Sequence, residues 1–385
     1  MDNLLQTKHF RRTVDEKNEK PSVPSSKPHY EILDGLRGVA AIMIVIYHIL
    51  ETHTIFTDEN LIIGHGYLAV DFFFVLSGFV IGYAYDDRWG KMDFKTFIKR
   101  RIVRLHPMVI FGMIFGAVLF YFGASEAFPL VAGTPVWKML LYLLLGILLI
   151  PTPPSADIRG WEEMHTLDAP AWSLFFEYIA NILYALIIRR FSKIALAVLV
   201  FLSACATVYL TVFVKGDVSG GWSFNVEHLS IGFTRLFYPF FAGLLLYRLG
   251  KLTHVKNAFL WCSLLLIAVF LTPHIGAKEH SSMNGLYEAA MIIFVFPFIV
   301  YLGASSTVKG KYASKLCKLL GDISYPVYLV NYPLIYVYTG WIKDTGYTFA
   351  QALPQALMVF VGTLVISYAA LKLYDEPVRK WLRRF

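Results

Sequence analysis

The chain carries more apolar stretches of bilayer-spanning length than a soluble domain can bury. A helix needs about 20 mainly apolar residues to cross ~30 Å of hydrocarbon. Such stretches recur over roughly 32–50, 66–85, 102–123, 170–189, 193–214, 230–249, 256–272, 285–303, 321–341 and 351–373. Of the 385 residues, 57% are hydrophobic and only 16% charged, and the mean hydropathy is +0.55. That is too little charge to cover a soluble protein of this length. The expected fold class is all-α, a polytopic bundle of about ten transmembrane helices in a lipid bilayer. An eleventh apolar run at 137–151, "WKMLLYLLLGILLIP", is shorter and ends in Pro151.

Lys and Arg decide what the short run does. The loops "DDRWGKMDFKTFIKRR", "RRFSK", "YRLGKLTHVK" and "KGKYASKLCK" and the tail "RKWLRRF" are basic, whereas "ETHTIFTDEN" and the stretches around 215–229, 273–284 and 342–350 are poor in Lys and Arg. These alternate across the membrane, with the basic loops inside, only if 137–151 does not cross. It is therefore predicted to be re-entrant or half-inserted, and both termini to be cytoplasmic. Residues 1–30 read as a flexible cytoplasmic tail without a cleavable signal peptide, 31–375 as one transmembrane domain and 376–385 as a basic cytoplasmic tail. The net charge of +8 follows from the same loop bias, and no nucleic-acid motif accompanies it. Cys205, Cys262 and Cys317 have no disulfide or zinc spacing, so no metal is expected.

Several spans keep polar groups that lipid disfavours. The first, "LDGLRGVAAIMIVIYH", carries Asp34, Arg37 and His48. On a helix these and Glu51 share a stripe about 100° wide, with Arg37 and His48 roughly 16 Å apart along the axis. A lone arginine there can snorkel to the interface, but a whole stripe points to a cavity. In "GYLAVDFFFVLSGFVIG", Asp71 lies at a depth similar to His48 and is predicted to orient its ring; Ser77-Gly78 reads as a close-packing point. In "KRRIVRLHP", Arg101 and Arg104 share a face at i, i+3, and paired guanidiniums suit phosphate. In "APAWSLFFEYIANILY", Ser173 and Glu177 share one face with Asn181 and Tyr184, and Trp172 reads equally well as a belt residue. Arg235, in "GFTRLFYPFFAG", is expected to pair with Glu177. In "GDISYPVYLVNYPL", Ser324, Tyr328 and Asn331 share a face.

Taken together with the closing "YDEPVRKWL", these segments resemble the acyltransferase type 3 family of integral membrane O-acyltransferases, mostly bacterial, which modify cell-surface carbohydrates. The matching motifs run in the family's order from residue 33 to 381. The resemblance implies a multi-pass protein of the cytoplasmic (inner) membrane. It implies that His48 is the essential histidine and Arg37 its partner, that Arg101 and Arg104 serve the acyl donor, and that Trp172 and Glu177 belong to the tryptophan–serine–glutamate helix. The chain departs from its relatives at Asn331, where a histidine is common, and an amide takes up no proton near neutral pH. Some relatives add an extracytoplasmic esterase-like domain. This chain ends about ten residues after its last predicted span, so a separate extracytoplasmic transferase partner enters the reading.

The mechanism expected is acyl transfer from cytoplasmic acyl-CoA, read as acetyl-CoA, to a carbohydrate hydroxyl. Arg37, Arg101 and Arg104 would hold the donor phosphates. His48, with Asp71 and Glu177 as the other catalytic candidates, would act as general base or form an acyl-histidine. Trp172, Ser173, Arg235, Tyr328 and Asn331 would bind substrate. The acceptor, lipid-linked or not, stays open, as does acetyl against longer acyl. The rival classes are an acyl-relay subunit and a polytopic transporter or flippase lined by the same groups.

Overall fold

Every long apolar stretch is helical, and many helices start where the sequence supplies a cap. The computed structural model describes residues 29–57, 64–250, 253–276 and 281–384. The tail expected over 1–30 lies outside the described residues apart from His29 and Tyr30. In chain order the helices are α1 (Glu31–Phe56), α2 (Ala69–Tyr85), α3 (Phe94–Leu119), α4 (Val136–Ile147), α5 (Ala171–Leu186), α6 (Lys193–Val208) and α7 (Val226–Leu249). There follow α8 (Ala258–Leu271), α9 (Ser282–Ala290), α10 (Phe296–Ala304), α11 (Lys311–Thr345), α12 (Phe349–Ala370) and α13 (Glu376–Leu382), with no β-sheet among the described residues. Asp93, Ser192 and Asn225 cap α3, α6 and α7 by accepting backbone N–H groups, and Thr348 with Gln351 forms a capping box on α12.

Seven helical stretches are long and apolar enough to cross a bilayer: Glu31–Phe56, Gly66–Tyr85, Phe94–Gly123, Lys193–Lys215, Val226–Leu249, Ser282–Ala304 and Phe349–Leu382. Three of the ten expected spans differ from that standard. α5 and α8 have only 16 and 14 residues, about 24 and 21 Å of helix. α11 is 35 residues long but more polar. α4, in the run predicted not to cross, has 12 residues, about 18 Å of helix. Ahead of α5 the chain runs non-helically yet buried against α3: a Cβ on Gly116 would lie 2.0 Å from the Leu167 carbonyl oxygen, and one on Gly112 2.4 Å from an Asp168 carboxylate oxygen. Irregular backbone inside a membrane protein is tolerated where protein covers it.

Glycines set the closest helix contacts. A Cβ on Gly78 would lie 2.0 Å from the Phe240 carbonyl oxygen, and one on Gly243 2.0 Å from that of Val75, so α2 and α7 meet backbone to backbone. α1 and α11 run parallel: Gly35 packs on Cys317, Gly38 on Leu320, His48 on Tyr332, and Thr52 hydrogen-bonds Thr339 at 2.9 Å. α6 instead turns Ile194, Phe201 and Leu202 outward, as a lipid-facing helix does.

Candidate active site

α1 holds its polar stripe as two separate clusters. Near its N-terminus, Asp34 accepts from Arg37 Nη1 at 3.0 Å and pairs with His29 Nε2 at 2.8 Å. Eleven residues on, about 16 Å along the helix, His48 Nδ1 sits 2.8 Å from Glu51 Oε2. The other oxygen of Glu51 accepts from Tyr47 Oη at 2.8 Å. The His48 ring meets the Tyr332 ring edge-on, 4.9 Å between centroids.

A cavity of about 420 Å³ opens between α1, α2, α3, α5 and α11. Its end nearest the N-terminus of α1 is charged. Arg37, Arg101, Arg104 and Arg379 line it together with Asp34, Glu177, Asp322 and Asp375. Asp375 lies in a π-turn, Leu371–Asp375, joining α12 to α13, and pairs with Arg379 at 2.5 Å. Glu177 accepts from Arg101 Nη2 at 2.7 Å and from Ser77 Oγ at 3.0 Å. Arg101 is buried, whereas Arg104, one turn on, is exposed to the cavity and makes no ion pair among the described residues.

Deeper in, the lining turns apolar through Val70, Phe73 and Leu174, and ends at Ser173 and Tyr328. The hydroxyls of those two lie 2.7 Å apart, and Tyr328 also donates to the Pro170 carbonyl at 3.3 Å. Phe73 packs edge-on against Tyr328 at 5.6 Å. This roof stops short of His48. Tyr332, the neighbour of His48, stands one turn above Tyr328, about 6 Å along α11. On α1 the lining ends at Arg37. The stripe is therefore not one continuous cavity wall. The tight α1–α11 contact closes its middle, and the cavity climbs along α2, α5 and α11.

Two expected pairings are corrected. Asp71 does not orient His48. It is fully buried and pairs with Arg235, whose Nη2 lies 2.7 Å from Oδ2 and whose Nε lies 3.3 Å from Oδ1. Arg235 also donates to the Tyr67 and Gly220 carbonyls at 2.8 and 3.1 Å, and stacks over Trp172 at 5.1 Å. Arg235 is thus satisfied without Glu177, and Trp172 serves as its platform, outside the cavity lining. Asn331 also lies off the lining. Its amide nitrogen turns back on its own helix, donating to the Val327 and Tyr328 carbonyls at 2.9 and 2.7 Å. Of the residues singled out in the sequence, the cavity gathers Arg37, Arg101, Arg104, Ser173, Glu177 and Tyr328. His48 stands beyond the roof.

The sequence reading left Glu51 without a role, although its i, i+3 spacing from His48 was visible. It also missed the segment 157–170. There Arg159 stacks on the Tyr336 ring at 3.5 Å and donates to the Thr166 carbonyl at 3.0 Å, while Tyr336 donates to Glu163. Burial pushes Glu163 up to about 8, against the opposing charge of Arg159, and holds His165 neutral with its value lowered to about 3. The buried carboxyl of Asp168 has no hydrogen-bond partner among the described residues, and burial raises it well above the carboxylate range.

The profile of a family described as an acyltransferase domain matches residues 30–372. Over 172 residues the chain is 33% identical to "Protein 2 in picA locus" of Rhizobium radiobacter, covering 42% of this chain and 83% of that protein. It is 23% identical to the peptidoglycan O-acetyltransferase OatA of Listeria monocytogenes, over 92% of this chain and 56% of the relative. It is 26% identical to O-acetyltransferase OatA of Staphylococcus aureus, over 98% of this chain and 60% of the relative. The chain thus spans less than two thirds of either O-acetyltransferase. No solved structure matches it.

Proposed function

Since the chain belongs to this acyltransferase family, we propose that it is a membrane O-acyltransferase moving an acetyl group from cytoplasmic acetyl-CoA to a hydroxyl of a cell-surface carbohydrate. The observation that carries the donor side is Arg104, an exposed guanidinium without a counter-ion among the described residues, in a cavity where Arg37, Arg101 and Arg379 are already matched by carboxylates. An unpaired guanidinium flanked by three others suits a polyphosphate, because forked donors bind its oxygens bidentately. The apolar stretch past Val70, Phe73 and Leu174 suits the pantetheine arm, with the thioester under the Ser173–Tyr328 roof. That roof must open, about one helical turn, for the acyl group to meet His48.

At His48 the acceptor hydroxyl gives its proton to Nε2 as its oxygen bonds to the thioester carbon. The carbon–sulfur bond then breaks, and the proton passes from Nε2 to the leaving thiolate. The bias of Lys and Arg among the loops supports an orientation with the Arg104 end of the cavity toward the cytoplasm and His48 toward the outer face of the inner membrane. The acceptor is a glycan, with peptidoglycan the first to test because one relative is named for it. A separate extracytoplasmic partner for the final transfer fits the same scheme.

The test uses membranes given labelled acetyl-CoA and a candidate glycan, comparing wild type with His48→Ala. Labelled ester should form with the wild type and fall to background in the variant. Unchanged ester in the variant overturns the assignment of His48.

A further inference from the structure

Resting on that reading of His48, we infer that Glu51 is the positioning residue that fixes the catalytic imidazole. The geometry is local and complete. His48 Nδ1 and Glu51 Oε2 lie 2.8 Å apart, so the ring donates through Nδ1 to a carboxylate. The second oxygen is not free to swing away, because the Tyr47 hydroxyl donates to it at 2.8 Å. Three residues of one helix turn thus lock each other, and the Tyr332 ring closes edge-on against the imidazole. Nε2 makes no hydrogen bond to the described residues, and the His48 side chain keeps 14% of its surface and that of Glu51 28%. The imidazole is therefore held by one nitrogen and offers the other.

The charge of Glu51 matters as well as its position. When Nε2 takes the hydroxyl proton the ring becomes a cation, and a carboxylate in contact with Nδ1 stabilises it in a region of low dielectric. No proton needs to leave Nδ1: it stays on the ring, hydrogen-bonded to Oε2, while the Nε2 proton goes from acceptor oxygen to thiolate. Asp71, the acid the sequence put in this role, is taken by Arg235. His48 has no other carboxylate in contact among the described residues.

The experiment measures ester formation per folded molecule in membranes for Glu51→Ala, Glu51→Gln, Glu51→Asp and Tyr47→Phe, beside His48→Ala. Glu51→Ala should lower kcat by about 100-fold with the KM for acetyl-CoA unchanged, since Glu51 touches neither the cavity nor the donor. Glu51→Gln keeps an acceptor for Nδ1 but not the charge, and should fall between. Glu51→Asp should recover part of the loss, and Tyr47→Phe should cost less than 10-fold. Thermal unfolding in detergent reports whether each variant is folded. If Glu51→Ala keeps wild-type kcat while His48→Ala is dead, the inference about Glu51 falls and the proposed function stands. If His48→Ala is also active, that function itself is wrong. A loss in Glu51→Ala that appears only in KM, or that Asp and Gln leave equally unrestored, also overturns the positioning role.

Discussion

Replacing Asp71 should cost stability before it costs chemistry. The carboxylate is fully buried and faces a guanidinium whose side chain keeps only 2% of its surface. Removing one partner of a buried pair leaves an uncompensated charge, at about 3–5 kcal/mol. In Asp71→Ala, Arg235 would keep the Tyr67 and Gly220 carbonyls and the Trp172 face. The loss should therefore lie near the lower end, about 3 kcal/mol. Removing both charges, in Asp71→Leu with Arg235→Met, frees the two carbonyls from their donor, about 1 kcal/mol each, but leaves no buried charge. The double variant should be more stable than Asp71→Ala, although it carries more changes. Thermal unfolding in one detergent, with Asp71→Leu and Arg235→Met each alone to close the double-mutant cycle, measures the coupling. The reasoning is refuted if Asp71→Ala melts like the wild type while its turnover per folded molecule collapses, because Asp71 would then act on the reaction.

Two further outcomes follow from the cavity and from the loop. Arg104→Ala should raise the KM for acetyl-CoA by about 10- to 100-fold, the worth of a charged hydrogen bond of 1.5–3 kcal/mol, with unfolding temperature unchanged; steady-state kinetics with labelled donor checks this. Glu163 has its value raised from 4.5 to about 8 by burial, so folding favours its protonated form. Its contribution to stability is fully present below about pH 4.5 and is lost as pH rises through 8. Unfolding scans from pH 5 to 9 should show a fall in the wild type that Glu163→Gln reduces.

Hydropathy made the helices legible because a bilayer permits few other folds. It did not reveal that residues 164–170 are buried against α3 without being helical, since an apolar window scores composition and not conformation. The span expected over roughly 170–189 is met by α5, whose 16 residues run from Ala171 to Leu186. Polar residues in the spans were easy to find, and the cavity gathers six of those predicted to bind or react. Their partners were harder. A helical angle places a side chain around its own axis but not beside a particular neighbour, and the partner of Asp71 lies 164 positions away in sequence. Depth alone made Asp71 resemble a partner for His48. The real neighbour stood three residues off on the same helix, within reach of the i, i+3 rule.

The same pairing logic explains why the first helix keeps Asp34. Asp34 fixes Arg37 at 3.0 Å, Glu177 fixes Arg101 at 2.7 Å and Asp375 fixes Arg379 at 2.5 Å. Four guanidiniums so close together would repel one another, and three carboxylates offset most of that cost while holding three of the four in place. Arg104 is left exposed, on the same face as Arg101 one turn along α3. A site built only to be stable would have neutralised it too. Leaving one guanidinium without a carboxylate in contact lets an incoming anion take that place at Arg104.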